Sequence, residues 1–258
     1  MPRTGKDSLI VALDVPTVDA ALRVVESLDN VSFFKVGLQL FLTGELPRLL
    51  KALQEKSIFV DLKVPGDIAN TIGAVVDLCI SMRVRFLTLS ESMPPAAIAG
   101  AKSTRDKRGS KNPEFLTVPF LSSLDRSDLK QMGGDDDVMT HILRRAQSAL
   151  QAGCDGVVVS GQEIKVCRTA FPDTIIVSPG IRPSGSSSDD HKRFTTPSEA
   201  IHLGADYLVV GRPILSNNTP RQVAETIIAE IDQALKDRDT PDDSAAHPSP
   251  RLASTLSY

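Results

Sequence analysis

Eight times along this chain a short apolar run gives way to a longer stretch with helical periodicity, and no other feature constrains the fold as strongly. The expected strands are "SLIVALDV" (8–15), "FFKVG" (33–37), "SIFVDLK" (57–63) and "VRFLTLS" (84–90). They continue with "EFLTVPFL" (114–121), "DGVVVS" (155–160), "TIIVSPG" (174–180) and "DYLVVG" (206–211). Between them, apolar residues recur at helical spacing over 17–28, 45–54, 67–82, 94–102, 137–153, 162–170, 197–204 and 219–237. Thr17 is a candidate N-cap, and Gly153 a helix stop. Eight βα units in roughly 230 residues match a single α/β domain of the (β/α)8 TIM-barrel class. Near-continuous apolar strands suit a sheet buried on both faces. A doubly wound open sheet is the rival, but it usually carries a glycine-rich phosphate turn after its first strand. Here that position reads "LDVPT", without glycine.

Composition narrows the class further. The chain has 258 residues, 41% of them hydrophobic, enough for one large core. A net charge of −3 offers no basic surplus for nucleic acid. Three cysteines without a CxxC pair argue against a disulfide framework or a zinc site and suit a reducing compartment. The apolar run near the start breaks at Asp14, too short for a signal peptide or a membrane span. The expectation is a soluble cytoplasmic protein with no membrane partner. The barrel is expected over residues 1–236. Residues 237–258, rich in proline and small polar residues, are expected to form a disordered tail. The basic segment "GAKSTRDKRGSKNP" (100–113) reads as a solvated loop.

In such a barrel, chemistry belongs at the C-terminal ends of the strands. The first three strands deliver Asp14, Lys35, and the pair Asp61 and Lys63. Period-two alternation predicts that Asp61 and Lys63 share a face, pointing into the barrel mouth with Lys35. A structural ion-pair cluster is the alternative reading of these residues, since buried charges must be paired. The fifth strand is followed by Ser122 and Ser123. After the seventh come Gly180, Arg182 and a Gly/Ser stretch able to act as a lid, and after the eighth, Gly211 and Arg212. Two arginines with backbone amides at the last two strand ends suit a phosphate. The site therefore combines an acid–base array with a dianion grip.

These motifs, in this order, resemble the orotidine 5′-phosphate decarboxylase family: "LDVPT" (13–17), "KVGLQLF" (35–41), "DLK" and "DIANT" (61–71), "LSSLD" (121–125), "GIRPSG" to "SEAI" (180–201) and "ADYLVVGRPI" (205–214). The resemblance implies loss of CO₂ from orotidine 5′-phosphate to give UMP, the last step of pyrimidine nucleotide synthesis, without metal or cofactor. It implies that Asp14 contacts the ribose and that Lys35 bonds the ribose and orders the array. Asp61 then sits against the departing carboxylate and Lys63 protonates C6. Asp67, with Ile68 and Thr71, comes from the partner subunit of a homodimer. Ser122 and Ser123 read the pyrimidine amide. Arg182, Gly211 and Arg212 bind the phosphate, with His191 where the family has a glutamine. The chain departs from the family pattern at two further places. Asp67 lies four residues after Lys63 rather than three, which predicts a one-residue bulge at "VPG". Ser90 stands where the family has a histidine. Two other functions stay open: a Mg²⁺-dependent sugar-phosphate decarboxylase or aldolase of the same suprafamily, and a non-catalytic nucleotide-binding barrel.

Overall fold

All eight expected runs form strands, and these pair in parallel and in sequence order, β8 returning to β1 to close the barrel. The computed structural model describes residues 3–67, 69–134, 137–183 and 195–239. The first half of the chain runs α1 (Gly5–Ser8), β1 (Leu9–Ala12), α2 (Val18–Ser27), β2 (Phe33–Gly37), α3 (Leu38–Leu42), α4 (Leu46–Ala52), β3 (Ser57–Val64), α5 (Ala69–Ser81), β4 (Phe86–Ser90) and α6 (Pro95–Lys107). The second half runs β5 (Glu114–Val118), α7 (Arg126–Gln131), α8 (Val138–Ala152), β6 (Gly156–Val158), α9 (Glu163–Ala170), β7 (Ile175–Ser178), α10 (Pro197–His202), β8 (Tyr207–Val210), α11 (Arg212–Leu215) and α12 (Pro220–Asp239).

Strand residues alternate between two cores. One face packs outward against the helices, as Leu9, Val11, Phe34, Val36, Ile58 and Val60 do. The other fills the barrel with Ile10, Phe33, Phe59, Phe86, Leu116, Tyr207 and Val209. Low in the barrel, Phe33, Phe86 and Tyr207 pack with ring centroids 5.1–5.9 Å apart. The Arg85 guanidinium stacks over all three at 5.2 Å and donates to the Tyr207 hydroxyl at 2.5 Å. This plug closes one end, so the open mouth lies at the other.

Local signals act as expected at several ends. The Thr17 hydroxyl accepts from the Ala20 amide, and Gly153 ends α8 at φ +118°. The segment 100–113 departs from expectation. Its first part is helical, since α6 continues through Lys107, where its charges find partners on the protein, and only 108–113 forms the expected loop. Lys102 and Asp106 pair one turn apart at 2.5 Å. Arg105 is buried against Asp155, and Arg108 grips Asp77 with two nitrogens at 2.7 and 2.8 Å. The short helices α1, α3, α7 and α11 were not expected, since four to six residues are too few to display a period. The helix α12 extends through Asp239, and the rest of the expected tail, 240–258, lies outside the described residues. Among the described residues, no helix is long and apolar enough to cross a membrane.

Candidate active site

Lys35 sits mid-strand in β2, in register with Ala12 of β1 and Phe59 of β3, and its side chain is buried. Its Nζ lies 3.1 Å from Asp14 Oδ1 and 3.4 Å from Asp61 Oδ2. Lys63 Nζ lies 2.9 Å from the other Asp61 oxygen, Oδ1. Four charges from the first three strand ends therefore form one chain: Asp14, Lys35, Asp61, Lys63. Gly37 borders it, since a Cβ there would stand in van der Waals contact, 3.4 Å, with both Asp14 Oδ1 and Lys35 Nζ. Burial pushes the Asp61 carboxyl up, but Lys35, Lys63 and a hydrogen bond from Thr88 outweigh it and hold the group below its ordinary range. Asp61 is thus an anion at neutral pH. The Lys63 side chain is 40% exposed, so the array presents its outer ammonium to the mouth.

The reason Asp61 and Lys63 meet is not the simple alternation the sequence suggests. The β3–β4 register shifts between Val60 and Val64, and Lys63 adopts φ +49°. A non-glycine residue in the left-handed region costs roughly 1–2 kcal/mol. Here the Lys63 amide leaves the strand ladder and donates to Thr88 Oγ1 at 2.8 Å, while the Thr88 hydroxyl donates to Asp61 Oδ1 at 3.0 Å. This register shift lies between Val60 and Val64, ahead of the "VPG" turn. That turn has a different constraint. A Cβ on Gly66 would stand 2.4 Å from Pro94 Cδ, so a close approach to the β4–α6 connection requires glycine there.

Above the array lies a cavity of about 250 Å³. Lys35, Asp61 and Lys63 line it together with Ser122 and Ser123 from the turn after β5. Phe59, Val118, Val158 and Val209 supply apolar walls. At the β7 and β8 ends, the Arg182 amide donates to the Thr195 carbonyl at 3.0 Å, and Gly180 turns the chain at φ +76°. Gly211 caps α11, which begins with Arg212. Burial and the neighbouring Arg212 charge hold the Arg182 guanidinium below its ordinary value. Gly211 also borders the array, since a Cβ there would lie 3.6 Å from Asp14 Oδ2.

Of the expected site residues, Lys35, Asp61, Lys63, Ser122 and Ser123 line this cavity, whereas Asp14, Arg182, Gly211 and Arg212 are not among its lining. Asp67 and Thr71 are exposed, and neither is among the described residues that line it. Ile68 and His191 lie outside the described residues. Ser90 turns to Ser92, with the hydroxyls 2.9 Å apart. Thr88, Ser160 and Glu163 stand in no motif that marks them in the sequence. The Glu163 carboxylate, buried at the start of α9, accepts from the Ser160 amide at 3.1 Å, and both residues line the cavity. They also border a larger space of about 850 Å³ toward α8 and α10, and among the described residues none of the expected site residues lines it. Among the described residues, no group of three or more His, Cys, Asp or Glu side chains is arranged to hold a metal ion.

Comparison with known proteins gives a consistent result. Residues 7–227 match the family model described as orotidine 5′-phosphate decarboxylase / HUMPS family. An orotidine 5′-phosphate decarboxylase of Rhodopseudomonas palustris (strain BisB5) is 44% identical over 232 residues, covering 89% of this chain and 96% of that one. One from Bradyrhizobium diazoefficiens is 41% identical over 233 residues, with 89% and 96% covered. The crystal structure of orotidine 5′-phosphate decarboxylase from Lactobacillus acidophilus superposes with a TM-score of 0.74 at 28% identity, covering 87% of this chain and 98% of that one.

Proposed function

Because this chain belongs to the orotidine 5′-phosphate decarboxylase / HUMPS family, we propose that it converts orotidine 5′-phosphate to UMP and CO₂ in pyrimidine nucleotide synthesis. The observation that carries this reading is the ion chain ending in Lys63 at a cavity that Ser122 and Ser123 also line. The phosphate is held by Arg182, Arg212 and the Gly211 amide. Asp14 and Lys35 hold the ribose, and Ser122 and Ser123 bond the pyrimidine edge. These contacts direct C6 and its carboxylate toward Asp61 and Lys63.

Two like charges about 4 Å apart cost about 4 kcal/mol at an effective dielectric near 20. Pressing the substrate carboxylate on Asp61 therefore raises the ground state by a few kcal/mol, and neutral CO₂ relieves it. Enzymes lower barriers by roughly 8–23 kcal/mol, so repulsion is the smaller part. The larger part falls to the Lys63 ammonium, which stabilises the electron pair left on C6 as the C–C bond breaks, then delivers a proton to that carbon. Phosphate binding, remote from C6, holds this geometry. The site acts within a homodimer in the cytoplasm, with Asp67 of the partner subunit closing the array together with Ile68 and Thr71. Exposure of Asp67 and Thr71 on a single chain supports that arrangement.

The test is the loss of orotidine 5′-phosphate absorbance with purified protein, with and without a chelator. Turnover unchanged by the chelator is expected. No turnover would reject the reading, and turnover only of a sugar phosphate, lost on chelation, would replace it with the Mg²⁺-dependent alternative.

A further inference from the structure

Thr88 is fully buried in β4, opposite the place where β3 breaks register. Val60 pairs with Leu87 and Val64 with Leu89, so Thr88 faces a stretch of β3 that no regular ladder can satisfy. Its hydroxyl serves both needs of that stretch. It accepts from the Lys63 backbone amide at 2.8 Å and donates to Asp61 Oδ1 at 3.0 Å. The Lys63 ammonium lies 2.9 Å from that same oxygen. A closed loop results, from the Lys63 amide through Thr88 to Asp61 and back to the Lys63 ammonium. Lys63 is held at φ +49° inside this loop. Strained backbone persists only where its surroundings over-determine it.

We propose that Thr88 is a positioning residue, whose hydroxyl fixes the Lys63 ammonium and the Asp61 carboxylate relative to each other. This rests on the decarboxylase reading of the site for its consequence, but not for its geometry. Valine has the shape of threonine without the hydroxyl. It leaves a buried amide and a buried carboxylate oxygen each short of a partner. Serine keeps the hydroxyl and drops only a methyl group.

The test has one readout independent of turnover. Protein labelled with ¹³C at the aspartate carboxyl carbons is titrated by NMR, with Asp61 assigned from the signal lost in Asp61→Asn. In Thr88→Val the Asp61 titration should move to higher pH, because a hydrogen bond to the charged form is gone. In Thr88→Ser it should return toward wild type. In turnover, Thr88→Val should lose about ten- to a hundredfold in kcat, the size of one charge-assisted hydrogen bond, with KM little changed. Thr88→Ser should restore most of that loss. If the valine variant does not fold, Thr88→Cys, with a far weaker hydrogen-bonding group, takes its place and should shift Asp61 in the same direction. An Asp61 titration unmoved by loss of the hydroxyl overturns the proposal. So does an equal shift in the serine variant, which would assign the effect to packing. Failure of the wild type to turn over orotidine 5′-phosphate would count against the proposed function alone, because the Asp61 titration still decides the role of Thr88.

Discussion

Lys63 can be removed without removing the support of its neighbours. Asp61 keeps Lys35 at 3.4 Å and the Thr88 hydroxyl at 3.0 Å, so its charge stays compensated when the outer ammonium is lost. We expect Lys63→Ala to fold with little change in Tm and to lose at least about 10³ in kcat, since it removes the proton donor and the main electrostatic stabiliser. A variant that keeps the wild-type rate would reject the role of Lys63. Asp61 gives a second prediction through its stability. Its carboxyl in the folded protein titrates below its ordinary value of 3.8. A depressed pKa contributes stability that is complete above the unfolded value and is lost as pH falls through the folded one. Urea unfolding should therefore show wild type losing ground to Asp61→Asn as pH is lowered below about 5. A constant difference between the two would contradict the shift. These acids and bases were legible in the sequence, because charged residues at the ends of apolar strands stand out. Thr88 was not, since a threonine within "FLTLS" reads as an ordinary strand former. Its role depends on an irregularity in a neighbouring strand.

At the scale of elements, the strands do unequal work. The β3 strand carries the register shift and two of the four charges, while β6 is only three residues long and packs tightly. A Cβ on Gly156 would lie 2.5 Å from the Ile175 carbonyl oxygen, 2.7 Å from Leu116 Cδ2 and 2.8 Å from Ile175 Cβ. None of these can retreat cheaply, because Ile175 belongs to the paired strand β7 and Leu116 to the barrel interior. Gly156→Ala should cost about 1–3 kcal/mol in urea unfolding, the usual penalty for overfilling a packed core. Unchanged stability would mean that β6 is looser than its contacts imply. Helix α6 shows why boundaries were harder to read than elements. Its second half is basic and polar, as a loop would be, but Asp77 and Asp155 stand at its side in space. Nothing local in the sequence announces partners so distant along the chain.

For the whole molecule, the proposed sharing of sites between subunits makes a prediction about the exposed Asp67. If the proposed homodimer shares its sites, two inactive variants should complement each other. Lys63→Ala and Asp67→Ala are each expected to be inactive. Mixed dimers would carry one site with both substitutions and one with neither. Equal mixing with free subunit exchange should recover about a quarter of wild-type activity, half the dimers being mixed and half their sites intact. Recovery close to zero, with exchange verified by mass, would place Asp67 within its own subunit's site or outside the chemistry. Burial of Phe33, Phe86 and Tyr207 beneath the Arg85 guanidinium at the opposite end fits a division in which one end of the barrel is committed to packing and the other is kept open for chemistry.

The sequence by itself determined the eightfold strand–helix alternation, the closed parallel class and the residues offered at the strand ends. Each of these follows from periodicity and from strand direction, which are local properties of the chain. Only the tertiary structure decided how Asp61 and Lys63 come together, because that depends on φ at one residue and on a hydroxyl from the next strand. It also decided that the basic half of α6 is helical and that Gly66 must approach Pro94. Those outcomes are set by contacts between segments far apart in sequence, and no local pattern encodes them.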